Sequence, residues 1–366
     1  MSETRSVSLT RREFLAAAAS AATGIAAAGL SVPSGAKATD VGASHLPRWR
    51  GFNLQNKFGY GPNRSFDERE FAWIADWGFN FVRLPLSYKC WTEEGDWLKL
   101  RKDQLVEIDQ AVEYGRKHGV HVCLNFHRAP GYCIGQPPEP LDLFRDEEAL
   151  GACAYHWRHF AKRYQGIPNE QLSFNLVNEP PLTKTGNYAR VAGRLVEAIR
   201  EEDADRLIIA DGILGRMPVT ALKDLGVAQS TRGYDPMEVT HYNASWVTGA
   251  DRFPRPEAWP IERNGKTVWD KEALRRRCIA PWRELEASGV GIHVGECGAH
   301  NQTPHVVVLA WLHDFLELWQ EAQWGWALWN LSGSFGILDS GRADVTYEDF
   351  QGCQLDRAML DLLQAH

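Results

Sequence analysis

No C-x-x-C pair, no H-E-x-x-H run and no comparable ligand spacing occurs among the seven cysteines and 12 histidines of this sequence. A structural zinc site or a zinc-dependent hydrolase therefore has no motif to stand on, and no metal ligand is assigned. The cysteines are odd in number, so at least one is unpaired within a monomer, and buried thiols are the expectation. No glycine-rich phosphate loop follows the first strand-like segment, which removes the usual signature of an open dinucleotide-binding sheet. Beyond the N-terminus, no apolar run is long enough to span a bilayer. Positive charge is also scarce: 40 Lys and Arg face 47 Asp and Glu, a formal net charge of −7. Nucleic acid needs a basic face to neutralise its phosphates, so it is not an expected partner. The first 38 residues hold Arg5, Arg11, Arg12 and Lys37 against Glu3 and Glu13, so the rest of the chain is more acidic still.

What is present begins with an address. Arg11-Arg12 precede the Ala-rich apolar stretch 15–32, and Ala36-Lys37-Ala38 forms an A-x-A-like cleavage pattern. Residues 1–38 thus look like a twin-arginine signal peptide, which exports folded proteins. The expected destination is periplasmic or extracellular, with no stable membrane insertion after signal removal. A short linker, 39–47, would follow. Residues 48–366 contain no low-complexity break and read as one domain, expected as a monomer.

That domain alternates. Strand-like runs fall at 49–54, 79–84, 120–126, 172–177, 206–210, 238–242, 291–296 and 324–329. Helical periodicity lies between them, at 67–77, 102–118, 146–164, 187–203, 218–225, 271–288, 304–321 and 355–363. Trp77-Gly78 and His118-Gly119 mark helix ends, where glycine takes the left-handed conformation. Eight βα units in one run predict a (β/α)8 TIM barrel. The long connections 128–145, 243–270 and 331–354 all follow strands, on the face where barrels build active sites.

Two of the strand-like runs end in an acid. Segment 172–177 leads into Asn178-Glu179-Pro180, and 291–296 ends in Glu296. Strands four and seven face each other across a barrel mouth, so the two carboxyls can meet at one bond. Glycoside hydrolysis needs such a pair, one to give a proton to the leaving oxygen and one to act at the anomeric carbon. Alone, Glu179 also reads as a carboxylate capping the next helix.

The strand ends together resemble those of glycoside hydrolase family five, a large cellulase-like family in the retaining barrel clan, over nearly all of 48–366. Arg50-Gly51-Phe52-Asn53-Leu54 is similar to the family's first strand. The resemblance implies that Glu179 is the acid/base and Glu296 the nucleophile, that Arg83 supports the nucleophile by hydrogen bonding, and that Asn178 contacts the sugar 2-hydroxyl. It matches His127 to the strand-three histidine, His241 to the strand-six histidine and Trp329 to the strand-eight tryptophan platform. It implies no cofactor. Two departures stand out. The family shows His-x-Tyr at strand six, whereas His241-Tyr242-Asn243 places the aromatic one position early. Either Tyr242 reaches the site through a bulge, or Asn243 takes the tyrosine's place. The nucleophile is followed by Cys297-Gly298 instead of the more frequent aromatic.

The 15 tryptophans suit both core packing and stacking on sugar rings. The expected partner is a β-linked oligo- or polysaccharide, most simply a β-glucan or gluco-oligosaccharide in a partly closed cleft walled by 128–140, 246–269 and 332–349. A transglycosylase using the same covalent intermediate and a non-catalytic carbohydrate-binding barrel are the alternatives. Retention of both acids speaks against the second.

Overall fold

The computed structural model of the chain describes residues 41–59 and 64–366. The signal expected over 1–38 and the start of the linker lie outside these residues. Eight parallel strands follow one another around a closed ring: β1 (Arg50–Asn53), β2 (Phe81–Ser87), β3 (His121–Ala129), β4 (Leu172–Asn175), β5 (Ile208–Asp211), β6 (Ala228–Gly233), β7 (Ile292–Cys297) and β8 (Gly325–Leu328). Neighbours in sequence pair in space, and β8 returns to β1 through Arg50↔Trp326 and Gly51↔Ala327. The architecture is the expected (β/α)8 barrel. Its main helices are α1 (Glu68–Asp76), α2 (Lys102–His118), α3 (Glu147–Arg163), α4 (Thr185–Arg200), α5 (Ala280–Glu286), α6 (His305–Ala322) and α7 (Arg357–Ala365). Asp67 caps α1 by accepting from the Arg69 amide at 2.9 Å, and Gly119 ends α2 at φ 67°.

Side-chain alternation decides what the barrel holds. Phe81, Cys123, Ile209, Ala228 and Ala327 point inward and form a small cluster with Leu46 and Trp49. Their strand neighbours Val82, Val122, Ile208 and Leu328 belong to the larger core shared with the helices. The period of two then makes the next inward residues Arg83, Asn125, Asp211 and Ser230, with Arg232 and Trp329 at the ends of their rows. An apolar plug therefore fills the bottom of the barrel, and a polar layer lies above it.

One bulge matters. The register of β7 against β6 runs His293↔Ser230 and Val294↔Thr231, then skips Gly295 to Glu296↔Arg232. That extra residue shifts the parity, so Glu296 points into the barrel and Cys297 outward into the helix-side core. Asn53 Nδ2 donates to the Gly295 carbonyl at 3.0 Å, and the Gly295 amide donates to Ser230 Oγ at 3.1 Å, which pins the bulge. A Cβ at position 295 would stand 2.5 Å from Ser230 Oγ, so only glycine fits there.

Strand six departs from the sequence expectation. Residues 238–242 are not a strand: Met237–Thr240 is a short helix, and the sixth strand lies earlier, at Ala228–Gly233. The run Ala-Gln-Ser-Thr-Arg-Gly carries no apolar alternation, because its buried side chains are polar and bonded internally. Gln229, for example, exchanges two hydrogen bonds with the Val219 backbone, at 3.0 and 2.8 Å. The helix expected at 218–225 is a 3-10 turn, Thr220–Leu225.

Candidate active site

Glu179 sits just beyond β4 with φ 41°, a left-handed conformation that costs a non-glycine residue of order 1–3 kcal/mol. Two bonds hold it there. Its amide donates to Asp211 Oδ2 at 3.0 Å, and its carbonyl accepts from Tyr132 Oη at 2.6 Å. Its carboxyl turns into the barrel mouth, where burial first and the Glu296 charge second push its pKa up to about 7, against the pull of Arg232.

Glu296 enters from the opposite side. Its Oε1 accepts from Arg83 Nη1 at 2.7 Å, and its Oε2 accepts from Tyr234 Oη at 3.1 Å. Arg232 Nη2 lies 3.3 Å from Glu296 Oε1, while Arg232 Nε donates to Glu179 Oε1 at 2.9 Å. One guanidinium thus touches both acids. Beneath it lies the fully buried Asp211, which accepts from Arg232 Nη2 and, at 2.8 Å, from Asn175 Nδ2. Arg83 is held in turn by Asn53 Oδ1 at 3.0 Å, Asn175 Oδ1 at 2.9 Å and Asn178 Oδ1 at 2.7 Å.

Some polar side-chain atoms of the layer have no protein partner among the described residues. Asn178 Oδ1 is taken by Arg83 and by Arg232 Nη2 at 2.9 Å, yet its buried Nδ2 has no partner among the described residues. His127 Nδ1 is likewise buried without one. Burial and the two nearby arginines hold the His127 ring neutral, well below the usual histidine range. Both residues line the cleft, so two buried polar atoms beside it have no protein partner among the described residues.

The cleft above the acids has a volume of about 880 Å³. Arg83 lies below it, and His127, Asn178, Glu179, His241, Glu296 and Trp329 all line it. Trp329 and His127 stand on one wall with Phe58, their ring centres 5.4 and 4.5 Å from the Phe58 ring. Tyr234, His241, Trp246 and Phe335 form the other aromatic wall, with Tyr234 and His241 centred 5.0 Å apart. The His241 imidazole is pushed down to about 4, chiefly by burial.

Two positions differ from the expectation drawn for strand six. His241 does reach the cleft, but from behind the short helix 237–240 and not from a strand. Tyr242 is not among the lining residues, and its carbonyl accepts from His300 Nδ1 at 3.1 Å. The phenol on Glu296 is Tyr234, two residues after Arg232, so no bulge at 242 or substitution by Asn243 is needed. The sequence analysis does not single out Asp211, nor Arg232 and Tyr234, the last two because strand six lies ten residues earlier than its pattern suggests. Asp211 did carry a signal: an acid closes the apolar run Ile208-Ile209-Ala210, as it does at Glu296.

The long loops contribute as expected. Cys133–Gln136, Trp246, Val247, Ser334 and Phe335 all line the cleft. Arg128 fixes the first loop through a buried ion pair to Glu139 and bonds to the Pro137 and Gly135 carbonyls at 3.0 and 3.2 Å. Among the described residues, His313, Asp314 and Glu317 on α6 are the one group spaced to hold a metal. Two of them are already engaged, Asp314 by Trp259 Nε1 at 2.7 Å and Glu317 by Lys271 at 2.8 Å. No described helix is long and apolar enough to cross a membrane.

Known proteins are similar to this chain in sequence and fold. The family described as Cellulase (glycosyl hydrolase family 5) matches residues 36–334. Endoglucanase C of Acetivibrio thermocellus is 26% identical over 306 residues, covering 77% of this chain and 88% of its own length. A crystal structure titled only as a glycoside hydrolase superposes with a TM-score of 0.82 at 40% identity, over 87% of this chain and 99% of that one. The endoglucanase Cel5A of the hyperthermophile Thermotoga maritima shares the fold at 21% identity, with a TM-score of 0.68 over 86% of this chain and 96% of that one. Matched across most of its length, the chain belongs to glycoside hydrolase family 5 and is a glycoside hydrolase.

Proposed function

We propose that this enzyme is a retaining β-glucanase, cleaving β-linked glucan or gluco-oligosaccharides by double displacement with Glu296 as nucleophile and Glu179 as acid/base. The observation that carries the reading is the meeting of the two carboxyls on one buried guanidinium, 2.9 and 3.3 Å from Arg232, at the floor of an aromatic-walled cleft. The retaining route is the one the family resemblance implies, with the two carboxyls acting in turn on the same anomeric carbon. The names of the endoglucanase relatives support glucan as the substrate class.

The chemistry follows from the contacts. Glu296 attacks the anomeric carbon as the glycosidic C–O bond breaks, and protonated Glu179 gives its proton to the departing oxygen. Arg83 and Tyr234 hold the Glu296 carboxyl so that an oxygen is aimed at that carbon. Glu179, now ionised, takes a proton from water, whose oxygen displaces Glu296 and releases a sugar of unchanged anomeric configuration. Glu179 is suited to both tasks because its pKa near 7 lies close to working pH. Asn178 Nδ2 and His127 Nδ1 lie buried beside the cleft without partners among the described residues and would pair with sugar hydroxyls once a ligand opens a path to them, and Trp329 offers a stacking face. The reading of residues 1–38 as a signal would put this activity outside the cytoplasm.

The test is hydrolysis of a panel of aryl β-glycosides and soluble β-glucans by wild type, Glu179→Gln and Glu296→Gln. Activity on a β-glucan that falls by orders of magnitude in both variants supports the pair. Wild type that binds oligosaccharides without turning any over would point to a binding barrel instead.

A further inference from the structure

The resemblance at strand six leads one to expect His-x-Tyr. Strand β6 runs instead into Arg232-Gly233-Tyr234, so the tyrosine is in place and an arginine stands where the histidine belongs. This arginine is not a spare cation awaiting an anionic substrate. Its Nε donates to Glu179 Oε1 at 2.9 Å, its Nη1 to Ser230 Oγ and the Thr231 carbonyl at 3.0 and 3.1 Å, and its Nη2 to Asn178 Oδ1 at 2.9 Å and to Asp211 Oδ2. The five N–H groups of a guanidinium thus have five protein acceptors. Two glycines leave it room: a Cβ at Gly215 would stand 2.4 Å from Arg232 Cγ, and one at Gly295 would stand 2.9 Å from Arg232 Nη1.

We propose that Arg232 is a positioning residue that holds Glu179 Oε1, so that Oε2 is the oxygen that carries the catalytic proton, and that ties the acid/base to the nucleophile through one shared charge. The inference rests on Glu179 and Glu296 being the catalytic pair. Oε1 is occupied by the Arg232 N–H, and Oε2 has no protein partner among the described residues. A proton placed on Oε1 would face that N–H donor, so it goes to Oε2. The other charged or titratable groups around the guanidinium are Arg83 from β2, Cys123, His127 and Tyr132 from β3 and the residues after it, Asp211 from β5, Tyr234 after β6 and His293 and Glu296 from β7, with Tyr188 Oη on the Asp211 carbonyl and Arg216 in the adjacent loop. Among these, Arg232 is the cation in direct contact with Glu179. Losing its charge therefore makes Glu179 harder to ionise, and the Asp211 charge it now offsets acts in the same direction.

The experiment compares Arg232→Lys, Arg232→His and Arg232→Met with wild type, measuring kcat/KM against pH on two aryl β-cellobiosides. One has a poor leaving group that needs the proton, and the other has a dinitrophenolate that does not. Thermal unfolding is followed for each variant. With the poor leaving group, the alkaline limb should move up by about one to three pH units in Arg232→His and Arg232→Met. It should stay near the wild-type position in Arg232→Lys, which keeps the charge but loses the fork and so loses rate. With the dinitrophenolate, the limb and its shift should be absent from all variants. Should Arg232→Met not fold, the Lys and His variants decide between them. Alkaline limbs that stay at the wild-type position in every variant, whatever the rates, would overturn the proposal and leave Arg232 a packing residue. Glu179→Gln, run alongside, keeps the two readings apart: if it loses no activity on the poor leaving group, the catalytic assignment itself has failed.

Discussion

Asp211 is the residue on which the polar layer rests, and removing it has a magnitude that can be worked out. Its carboxylate is fully buried and receives Asn175 Nδ2 on Oδ1 and both Arg232 Nη2 and the Glu179 amide on Oδ2. Asp211→Ala leaves a buried guanidinium short of its counter-charge, a loss of about 3–5 kcal/mol when one partner of a buried pair is deleted. It also frees the amide that holds Glu179 at φ 41°, so the acid/base loses its clamp. Asp211→Asn is milder but not neutral. Its amide oxygen can serve Arg232 and Glu179, but its NH2 must then face Asn175 Nδ2, donor against donor. Asn175 cannot simply flip, because its Oδ1 already accepts from Arg83 Nε at 2.9 Å. An unpaired buried donor costs about 1–3 kcal/mol, so the Asn variant should fall between wild type and Ala. Equilibrium urea unfolding measures both variants, and the expected order is wild type, then Asn, then Ala. A loss below about 1 kcal/mol for Asp211→Ala would refute the claim that this carboxylate supports the layer.

Other expectations follow from the same contacts. Tyr234→Phe removes the donor to Glu296 Oε2 and should lower kcat/KM about 10- to 100-fold, the equivalent of a hydrogen bond to a charged group, whereas Tyr242→Phe should leave steady-state kinetics unchanged. Activity on substrates with poor leaving groups should fall as the pH rises through about 7, where Glu179 loses its proton, and a pH–rate profile checks this. The same group affects stability. Its folded pKa is raised from 4.5 to about 7, so the contribution of its bound proton is complete below the ordinary carboxylate range and is lost as pH rises through 7. Glu179→Gln should therefore gain stability relative to wild type between pH 5 and pH 8, read by thermal unfolding at each pH. Trp329→Ala should raise KM for oligosaccharides by up to about tenfold if its ring stacks on sugar, with little change in melting temperature.

Much of this was legible in the chain. Seven of the eight strands advertise themselves as apolar or β-branched runs, because their outward residues pack against helices and their lower inward residues fill the plug. Glu179 and Glu296 stood out because each follows such a run. Strand β6 was hidden for the opposite reason: its inward side chains belong to the charged layer, so Ser230 and Arg232 replace the apolar positions that periodicity detects. Because β6 lies ten residues earlier than its pattern suggests, the tyrosine on Glu296 is residue 234 and not residue 242. The parity shift at Gly295 could not be read at all, since a bulge is a matter of pairing between strands and leaves no mark in one of them. Asp211 was readable and passed over, an acid at the end of an apolar strand whose work is done below the cleft.

The assignment of Glu296 as nucleophile has a direct chemical test. Wild type would be incubated with a dinitrophenyl 2-deoxy-2-fluoro-β-cellobioside, whose fluorine slows the second displacement and lets the glycosyl-enzyme accumulate, and its peptides then mapped by mass spectrometry. A single fluoroglycosyl adduct on the peptide carrying Glu296, formed as activity is lost, is the predicted result. Turnover of ordinary substrates with no adduct, or an adduct on Glu179, would contradict the account.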